Sequence, residues 1–226
     1  IRDRYWHPDM AALGQYLEQV DRQLMLFDVA LHHRFREASR AGGDFDLRTL
    51  FDDTLVAAMP DHAVTIVGNH DTQPLQALEA PVEDWFKPHA YALILMREQG
   101  TPCLFHPDLY GARYSDTGSD GKVHDIMIAP VDCLPRLVQA RQRFAHGAQT
   151  DIFDDPYCLI VVRHGTHEQA GAILILTNRD TMEKTVELGR DHADAAFVDY
   201  LGHCDEERVA DGEGRLTVRV APGSVS

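Results

Sequence analysis

Residues 63–71 read AVTIVGNHD: five apolar or β-branched residues, then a glycine, then a polar Asn-His-Asp triplet. A short continuous apolar run that stops at a turn signal is typical of a strand buried on both faces. Two further runs of this kind flank it, LMLFD at 24–28 and PCLF at 102–105. Because helical patterns separate the three runs, the alternation predicts a parallel sheet covered by helices.

Four helices are predicted around these strands. Apolar residues spaced along one helical face indicate a first helix from about Met10 to Val20. A second pattern runs from Leu47 to Val56, and a third from about Trp85 to Gln99, where Gly100 suits a helix C-cap. A fourth helix is expected to begin near Pro130.

Polar residues that follow the predicted strands are the candidate site residues. In parallel α/β folds the chemistry lies at the carboxyl ends of the strands. Asp28, the pair His70–Asp71 and Asp108 all fall at such ends. An imidazole donor beside a carboxylate can hydrogen-bond sugar hydroxyls and stabilise a positive transition state, although the tripeptide alone favours a purely structural role.

The chain changes character near residue 146, which predicts two domains, 1–145 and 146–226. Beyond that point the apolar runs are short, rich in β-formers and separated by turn signals such as Asn-Arg-Asp and Asp-Gly-Glu-Gly. Short loops between strands imply antiparallel pairing, so we expect a small β-sandwich. The predicted strands are 159–162, 172–176, 185–188, 196–200 and 216–220.

Composition excludes several classes of partner. The 226 residues include 21 Lys and Arg against 36 Asp and Glu, a net charge of −15 that would repel nucleic acid and anionic membranes. No apolar run approaches the roughly 20 residues of a membrane-spanning helix, and the charged start shows no signal-peptide core. Four scattered cysteines without a CxxC pair indicate reduced core thiols, so we expect a cytoplasmic protein.

Two groups of side chains could suggest a metal site. His32 and His33 are adjacent, with His62 and His70 further along, but no HExxH or CxxC spacing accompanies them. If their segment is extended, the adjacent histidines point to opposite sides. The acidic run at 151–155 lacks the glycine and closing glutamate of an EF-hand loop. We therefore expect hydrogen-bonded or surface histidines, a solvated acidic turn and no metal ligands.

Six segments share a family pattern in the same order over nearly the whole chain. They read YW at 5–6, LFDVALH at 26–32, EASR at 37–40, NHDTQPLQ at 69–76, WFKPHAYA at 85–92 and PDLYG at 107–111. Together they resemble a bacterial alpha-amylase of the liquefying type, most of all the cytoplasmic enzymes of Gram-negative bacteria. So many ordered matches favour a functional role for the histidine–aspartate pair over a structural one.

The resemblance implies a fold, an activity and three site residues. The fold is the C-terminal half of a (β/α)8 barrel, from the end of strand five to helix eight, followed by an antiparallel β domain. The activity is retaining endo-hydrolysis of α-1,4-glucosidic bonds in starch, glycogen and maltodextrins. Asp71 matches the aspartate that stabilises the transition state, and His70 matches the sugar-binding histidine beside it. Trp6 matches a substrate-contacting position.

The same resemblance fails at two catalytic positions. Arg4 stands where the family has its acid/base glutamate, and the nucleophile segment has no counterpart. Retaining hydrolysis needs two carboxyl groups about 5–5.5 Å apart, and a guanidinium, which stays protonated, cannot replace one. We expect either a C-terminal fragment that is inactive alone and self-associates through open barrel edges, or a non-catalytic carbohydrate-binding protein.

Calcium is not expected in this chain. In the family, calcium is bound mainly by parts that this sequence lacks, so it remains possible for a complete parent protein. Some relatives also form a site with a His-Asp pair at the junction with the β domain. Pro156-Tyr157 stands at that place here.

Overall fold

The computed structural model describes residues 7–226, and these divide into two compact units. The last change from the first unit to the second falls after Pro135, ten residues before the domain boundary predicted at 145/146. The domain boundary stays a prediction. The first unit consists of residues 7–41, Thr49–Ile94 and Glu98–Pro135, and the second consists of Gly42–Arg48, Leu95–Arg97 and Arg136–Ser226.

The first unit is built on a parallel sheet of three strands in the order β1-β2-β3. Leu26 pairs with Ala63, and Val64 pairs with Thr101, so all three strands end at the same edge. All four residues of the central strand are buried, as its continuous apolar sequence predicted. Among the described residues the sheet is open rather than a closed barrel. The strands are β1 (Leu26–Phe27), β2 (Ala63–Ile66) and β3 (Thr101–Cys103).

Helices separate these strands, which confirms the α/β class. The first helix is capped by Asp9, whose carboxylate accepts the N–H of Ala11 at 2.9 Å, and it buries Leu13 and Leu17 completely. The helices up to residue 110 are α1 (Met10–Gln19), α2 (Val29–Ala41), α3 (Leu55–Ala58), α4 (Lys87–Met96) and α5 (His106–Tyr110).

The helix expected from Leu47 to Val56 is wrong. This segment forms a 3₁₀ turn at Leu47–Thr49 and then the single turn of α3. Asp53 has a φ of +54°, a left-handed conformation that interrupts a right-handed helix. Thr54 then starts a new helix, because its hydroxyl accepts the N–H of Ala57.

Sequence reasoning also missed α2 and a β-hairpin. Buried Leu31, Phe35 and Ala38 lie on one face of α2 at helical spacing, so its apolar signal was present. The hairpin strands β4 (Ala112–Thr117) and β5 (Val123–Ile128) are mostly exposed and polar, so no apolar run marks them.

The second unit is antiparallel, as predicted. Strand β7 (Cys158–Arg163) pairs with β6 (Gln149–Asp155) and β8 (Ala172–Thr177). Strand β9 (Met182–Glu187) pairs with β12 (Arg215–Val220). Residues from both sheets share one buried apolar cluster. The acidic run at 151–155 belongs to strand β6, so the expected solvated turn is wrong. The elements are α6 (Leu134–Phe144), β6 (Gln149–Asp155), β7 (Cys158–Arg163), β8 (Ala172–Thr177), β9 (Met182–Glu187), β10 (Ala196–Phe197), β11 (Arg208–Val209) and β12 (Arg215–Val220).

Asn178, at the end of β8, holds segment 42–48 within the second unit. Its side chain is buried, and its Nδ2 donates to the carbonyls of Gly42 and Phe45, each at 2.8 Å. Leu47 adds a backbone bond, donating its N–H to the carbonyl of Pro156 at 2.8 Å. The side-chain amide of Asn178 therefore donates to two carbonyls of a segment that is not paired in a β-sheet.

The four cysteines are free thiols. Cys158 is buried in the core, but Cys204 is exposed, so the expectation of core positions is wrong for Cys204. Within residues 7–226, no helix combines the length and the apolar character needed to cross a membrane.

Candidate functional site

The candidate site is a turn that directly follows β2. The Oδ1 of Asn69 accepts the N–H groups of Asp71 at 2.9 Å and Thr72 at 3.0 Å. In return, the Oγ1 of Thr72 accepts the N–H of Asn69 at 3.0 Å. This reciprocal turn fixes the backbone on both sides of His70 and Asp71. Sequence reasoning identified the pair but missed its support, although an Asn followed by Thr three residues later is a turn signal.

His70 and Asp71 project away from the turn into solvent. Their side chains are 74% and 48% exposed, and the Nε2 of His70 lies 3.5 Å from the Oδ1 of Asp71. An imidazole and a carboxylate that are this accessible can both reach a bound molecule. The arrangement suits a ligand rich in hydroxyl groups, with a negative charge available for a developing positive one.

Asp28, at the end of β1, is not part of this surface. It is 0% exposed, and its carboxylate accepts the N–H groups of Leu31, Leu55 and Val56 at 3.0, 3.2 and 2.7 Å. Burial raises the pKa of Asp28, while these three hydrogen bonds oppose the rise. Asp28 therefore caps α2 and α3, which corrects its grouping with the site residues.

Asp108, beyond β3, is also structural. It is 2% exposed, and it accepts from the Nζ of Lys87 at 3.0 Å and the hydroxyl of Tyr91 at 2.6 Å. Burial lowers the pKa of Lys87, but the carboxylates of Asp108 and Asp84 outweigh that effect and raise it overall. Burial, followed by the Asp108 charge, raises the pKa of Tyr91. Of the three predicted strand-end positions, only the His70–Asp71 pair is accessible.

The expectation that His32 and His33 could lie in an extended segment is wrong. His32 and His33 lie in helix α2, not in an extended segment, and His32 is completely buried. The Nδ1 of His62 lies 3.0 Å from the carbonyl oxygen of Leu24, so His62 is hydrogen-bonded as expected. No group of three or more His, Cys, Asp or Glu side chains in the described part of the chain could hold a metal ion.

The residues around Pro156–Tyr157 make contacts among themselves and with neighbouring segments. The carboxylate of Asp155 is paired with the Nζ of Lys184 at 2.9 Å, and the carbonyl of Pro156 accepts the N–H of Leu47. The guanidinium of Arg179 lies over the ring of Tyr157, 4.5 Å from its centroid. The oxygens of Asp155 and Pro156 are thus already engaged, and positive charge lies beside them.

Two sequence-based assignments fall on residues 1–6. Trp6, the expected substrate contact, and Arg4, at the place of the family's acid/base glutamate, lie outside the described residues. The described site therefore consists of His70 and Asp71 on the turn held by Asn69 and Thr72.

The characterised proteins most similar in sequence that are described here are alpha-amylases. The chain is 50% identical over 222 residues to the cytoplasmic alpha-amylase of Escherichia coli K12, covering 98% of this chain and 45% of that protein. It is 38% identical over 224 residues to the alpha-amylase of Bacillus licheniformis, covering 98% of this chain and 42% of the relative. The chain thus spans less than half the length of the curated relatives it matches. No protein-family model matches the sequence.

Solved structures agree at the level of fold. Wild-type alpha-amylase I from Eisenia fetida superposes with a TM-score of 0.63 at 12% identity, covering 89% of this chain and 48% of that one. A variant of AmyP in complex with maltotriose gives 0.55 at 14% identity, covering 89% and 49%. The resemblance found in the sequence is therefore confirmed: over 98% of its own length, this chain is related to the bacterial alpha-amylases.

Proposed function

We propose that this chain carries part of the substrate site of an alpha-amylase-like glycoside hydrolase, which cleaves α-1,4-glucans by retaining hydrolysis. One observation supports this most strongly. An exposed histidine–aspartate pair follows a parallel strand in a chain that is 50% identical to a cytoplasmic alpha-amylase over 222 residues. Starch, glycogen and maltodextrins are the proposed ligands, and the cytoplasm, where that relative is named to reside, is the proposed location.

In this proposal Asp71 stabilises the oxocarbenium-like transition state. A carboxylate held by its own backbone turn places negative charge where the sugar ring becomes positive, without reorganisation during the reaction. His70 and Trp6 bind sugar hydroxyls and ring faces. The net charge of −15 opposes nucleic acid and anionic membrane partners but not a neutral glucan.

We further propose that residues 1–145 form the C-terminal half of a (β/α)8 barrel and residues 146–226 the antiparallel β domain. The three parallel strands with intervening helices support the first part. The TM-score of 0.63 to an alpha-amylase, of which this chain covers 48%, supports the relation to part of a larger fold. The chain is proposed to need no cofactor of its own.

Titration of the ¹⁵N-labelled chain with maltoheptaose tests the proposed ligand. Saturable NMR shifts are expected at residues 69–73, and both Asp71→Asn and His70→Ala should weaken binding. A cello-oligosaccharide of equal length serves as the control, because it has the same hydroxyl groups with β linkages. Absence of saturable shifts at these residues at millimolar maltoheptaose would overturn the proposal.

A non-catalytic carbohydrate-binding protein is the second candidate, favoured by Arg4 at the acid/base position. Both candidates predict that this chain alone binds glucan without measurable hydrolysis, since two of three carboxylates have no counterpart. The two candidates separate in a longer protein that combines this chain with the two missing catalytic carboxylates. There, a hydrolase should lose kcat far more than KM on Asp71→Asn, whereas a binding protein shows no turnover to lose.

A further inference from the structure

The loop that carries His70 and Asp71 contains a strained residue at its tip. Leu75, just beyond Asp71 in the chain, has a φ of +65°. This is the left-handed region, which residues with a Cβ atom seldom adopt. Such a conformation persists only where the surrounding structure holds it, and strained residues of this kind are found close to functional sites. The contacts on either side of Leu75 therefore bear on the candidate site.

Both neighbours of Leu75 are hydrogen-bonded to the hairpin of β4 and β5. The hydroxyl of Tyr114 donates to the backbone carbonyl of Pro74 at 2.5 Å. The Nε2 of Gln76 donates to the Oδ2 of Asp116 at 3.0 Å. The strained residue is thus flanked on each side by a hydrogen bond to the same strand, β4.

The two contacting side chains lie on one face of the hairpin. Because side chains alternate between the faces of a strand, Tyr114 and Asp116 point to the same side. Ile126, which pairs with Tyr114, and Ile128, which is 8% exposed, belong to that side as well. Ser115 lies on the opposite side and is exposed. The contacts with the loop therefore come from the more buried face of the hairpin.

The base of the hairpin is fixed to the body of the first unit. The N–H of Val131, beyond β5, donates to the backbone carbonyl of Asp108 at 2.7 Å. The N–H of Gly111, ahead of β4, donates to the carbonyl of Pro107 at 2.7 Å. The carboxylate of Asp108 is itself buried and accepts the hydroxyl of Tyr91. The hairpin is therefore supported at its base and can in turn support the loop.

The tip of the loop is also bonded to the segment that carries the candidate carboxylate. The N–H of Leu78 donates to the carbonyl of Asp71 at 3.2 Å. The N–H of Gln76 donates to the carbonyl of Gln73 at 3.3 Å, and the N–H of Gln73 donates to the carbonyl of Asn69 at 3.2 Å. A displacement of the tip would therefore be transmitted to the turn around Asp71.

We propose that Tyr114 and Asp116 are positioning residues, which hold the strained turn at Leu75 and so fix the loop that presents the candidate carboxylate. The consequence for sugar binding rests on the proposed function, but the support of the loop by the hairpin does not. Tyr114 gives its hydroxyl proton to a backbone carbonyl, so it acts through the backbone of the loop.

Tyr114→Phe tests this role through the loss of a single hydroxyl. The aromatic ring stays, and the carbonyl of Pro74 loses its side-chain donor. Ser115→Ala is the matched control, because the Oγ of Ser115 donates to the Oδ1 of Asp125 at 2.6 Å on the opposite face of the same hairpin. Each variant removes one hydroxyl and one hydrogen bond, but only Tyr114→Phe removes a contact with the loop.

The strain at Leu75 supplies a second test, which a contact without a positioning role would not pass. Leu75→Gly relieves the strain, because glycine adopts a positive φ freely. Leu75→Ala also shortens the side chain but keeps the Cβ atom and therefore the strain. A relieved turn depends less on the hairpin, so Tyr114→Phe should have a smaller effect in the Leu75→Gly background. In the Leu75→Ala background its effect should remain.

Hydrogen exchange of the Gln76 and Leu78 amides is the first readout, and affinity for maltoheptaose is the second. In Tyr114→Phe, exchange of these amides should accelerate about fivefold relative to amides of β2, and binding should weaken. Ser115→Ala should change neither readout. If Tyr114→Phe does not fold, Gln76→Ala removes the other contact with the hairpin, and exchange of the Leu78 amide is interpreted in the same way.

Unchanged loop exchange in Tyr114→Phe, equal loosening in Ser115→Ala, or equal rescue by Leu75→Gly and Leu75→Ala would overturn the proposal. Loosening without weaker binding, in a chain that binds maltoheptaose, would overturn the positioning role. A loosened loop in a chain that never binds maltoheptaose would instead confirm the support by the hairpin and overturn the proposed function.

Discussion

Replacing Asp28 with alanine should destabilise the protein more than removing any exposed helix cap. The carboxylate accepts three backbone N–H groups, from Leu31, Leu55 and Val56, and it is 0% exposed. Alanine would leave all three donors without this acceptor at the first turns of two helices. Water cannot readily replace it at a fully buried position.

The magnitude follows from opposing terms. A buried donor left unsatisfied costs about 1–3 kcal/mol, and loss of a helix cap costs about 0.5–2 kcal/mol. The variant also removes a buried charge, whose burial is unfavourable enough to raise the pKa of Asp28 despite three hydrogen bonds. We therefore expect a net loss of about 2–4 kcal/mol for Asp28→Ala, below the simple sum. Asp28→Asn keeps one acceptor oxygen and should lose about half as much.

The raised pKa also fixes the sign of a pH effect. Because the folded-state pKa of Asp28 lies above its unfolded value, the native protein binds this proton more tightly. The stability contributed by protonation is fully present below the unfolded pKa and is lost as pH rises through the folded pKa. The advantage of wild type over Asp28→Asn, which does not titrate, should therefore be larger near about pH 3 than near about pH 7.

Urea unfolding monitored by tryptophan fluorescence measures both effects. Trp85 is a suitable reporter, since its indole N–H donates to the carbonyl of Ser39 at 2.9 Å within the first unit. Asp9→Ala is the matched control, because Asp9 is an exposed cap with a single bond to Ala11. If Asp28→Ala costs no more than Asp9→Ala, the assignment of Asp28 as a buried double cap is refuted.

Three further expectations concern the second unit, metal and association. Asn178→Ala should cost about 1–3 kcal/mol in unfolding free energy, because it removes the side-chain donor to the carbonyl of Phe45 and one of two donors to the carbonyl of Gly42; a change within error in urea unfolding would contradict this. A chelator should leave Tm unchanged, and a drop that Ca²⁺ reverses would show a site that the geometry does not suggest. Sedimentation should show dimers or larger assemblies, since the described sheet ends at β1 and β3; a stable monomer at tens of micromolar would refute it.

The sequence predicted the central strand well because burial on both faces leaves a local signal. Each of the three parallel strands lies within or beside a continuous apolar run, and the central one matches within a residue. The site turn was located for the same reason, since the polar triplet at 69–71 follows directly after the apolar run 63–67 and Gly68. The strands at the edges are shorter than their apolar runs, because pairing rather than hydropathy ends a strand.

The errors about the candidate site come from contacts that are not local. Asp28 and Asp108 follow strands just as Asp71 does, and nothing in their neighbouring residues shows that they face inward. That outcome depends on N–H groups at 55–56 for Asp28, and on Lys87 and Tyr91 for Asp108. Tertiary contacts between distant segments decided burial there, and a single sequence does not specify them.

The contrast among these carboxylates explains how an exposed group can be held in place. A carboxylate that meets a ligand must be accessible, so it cannot be fixed by packing around its own side chain. Asp71 is instead fixed through its backbone, by Asn69 and Thr72 within the turn and by Leu78 on the returning arm. Buried carboxylates such as Asp28 and Asp108 therefore lie behind such a site rather than in it.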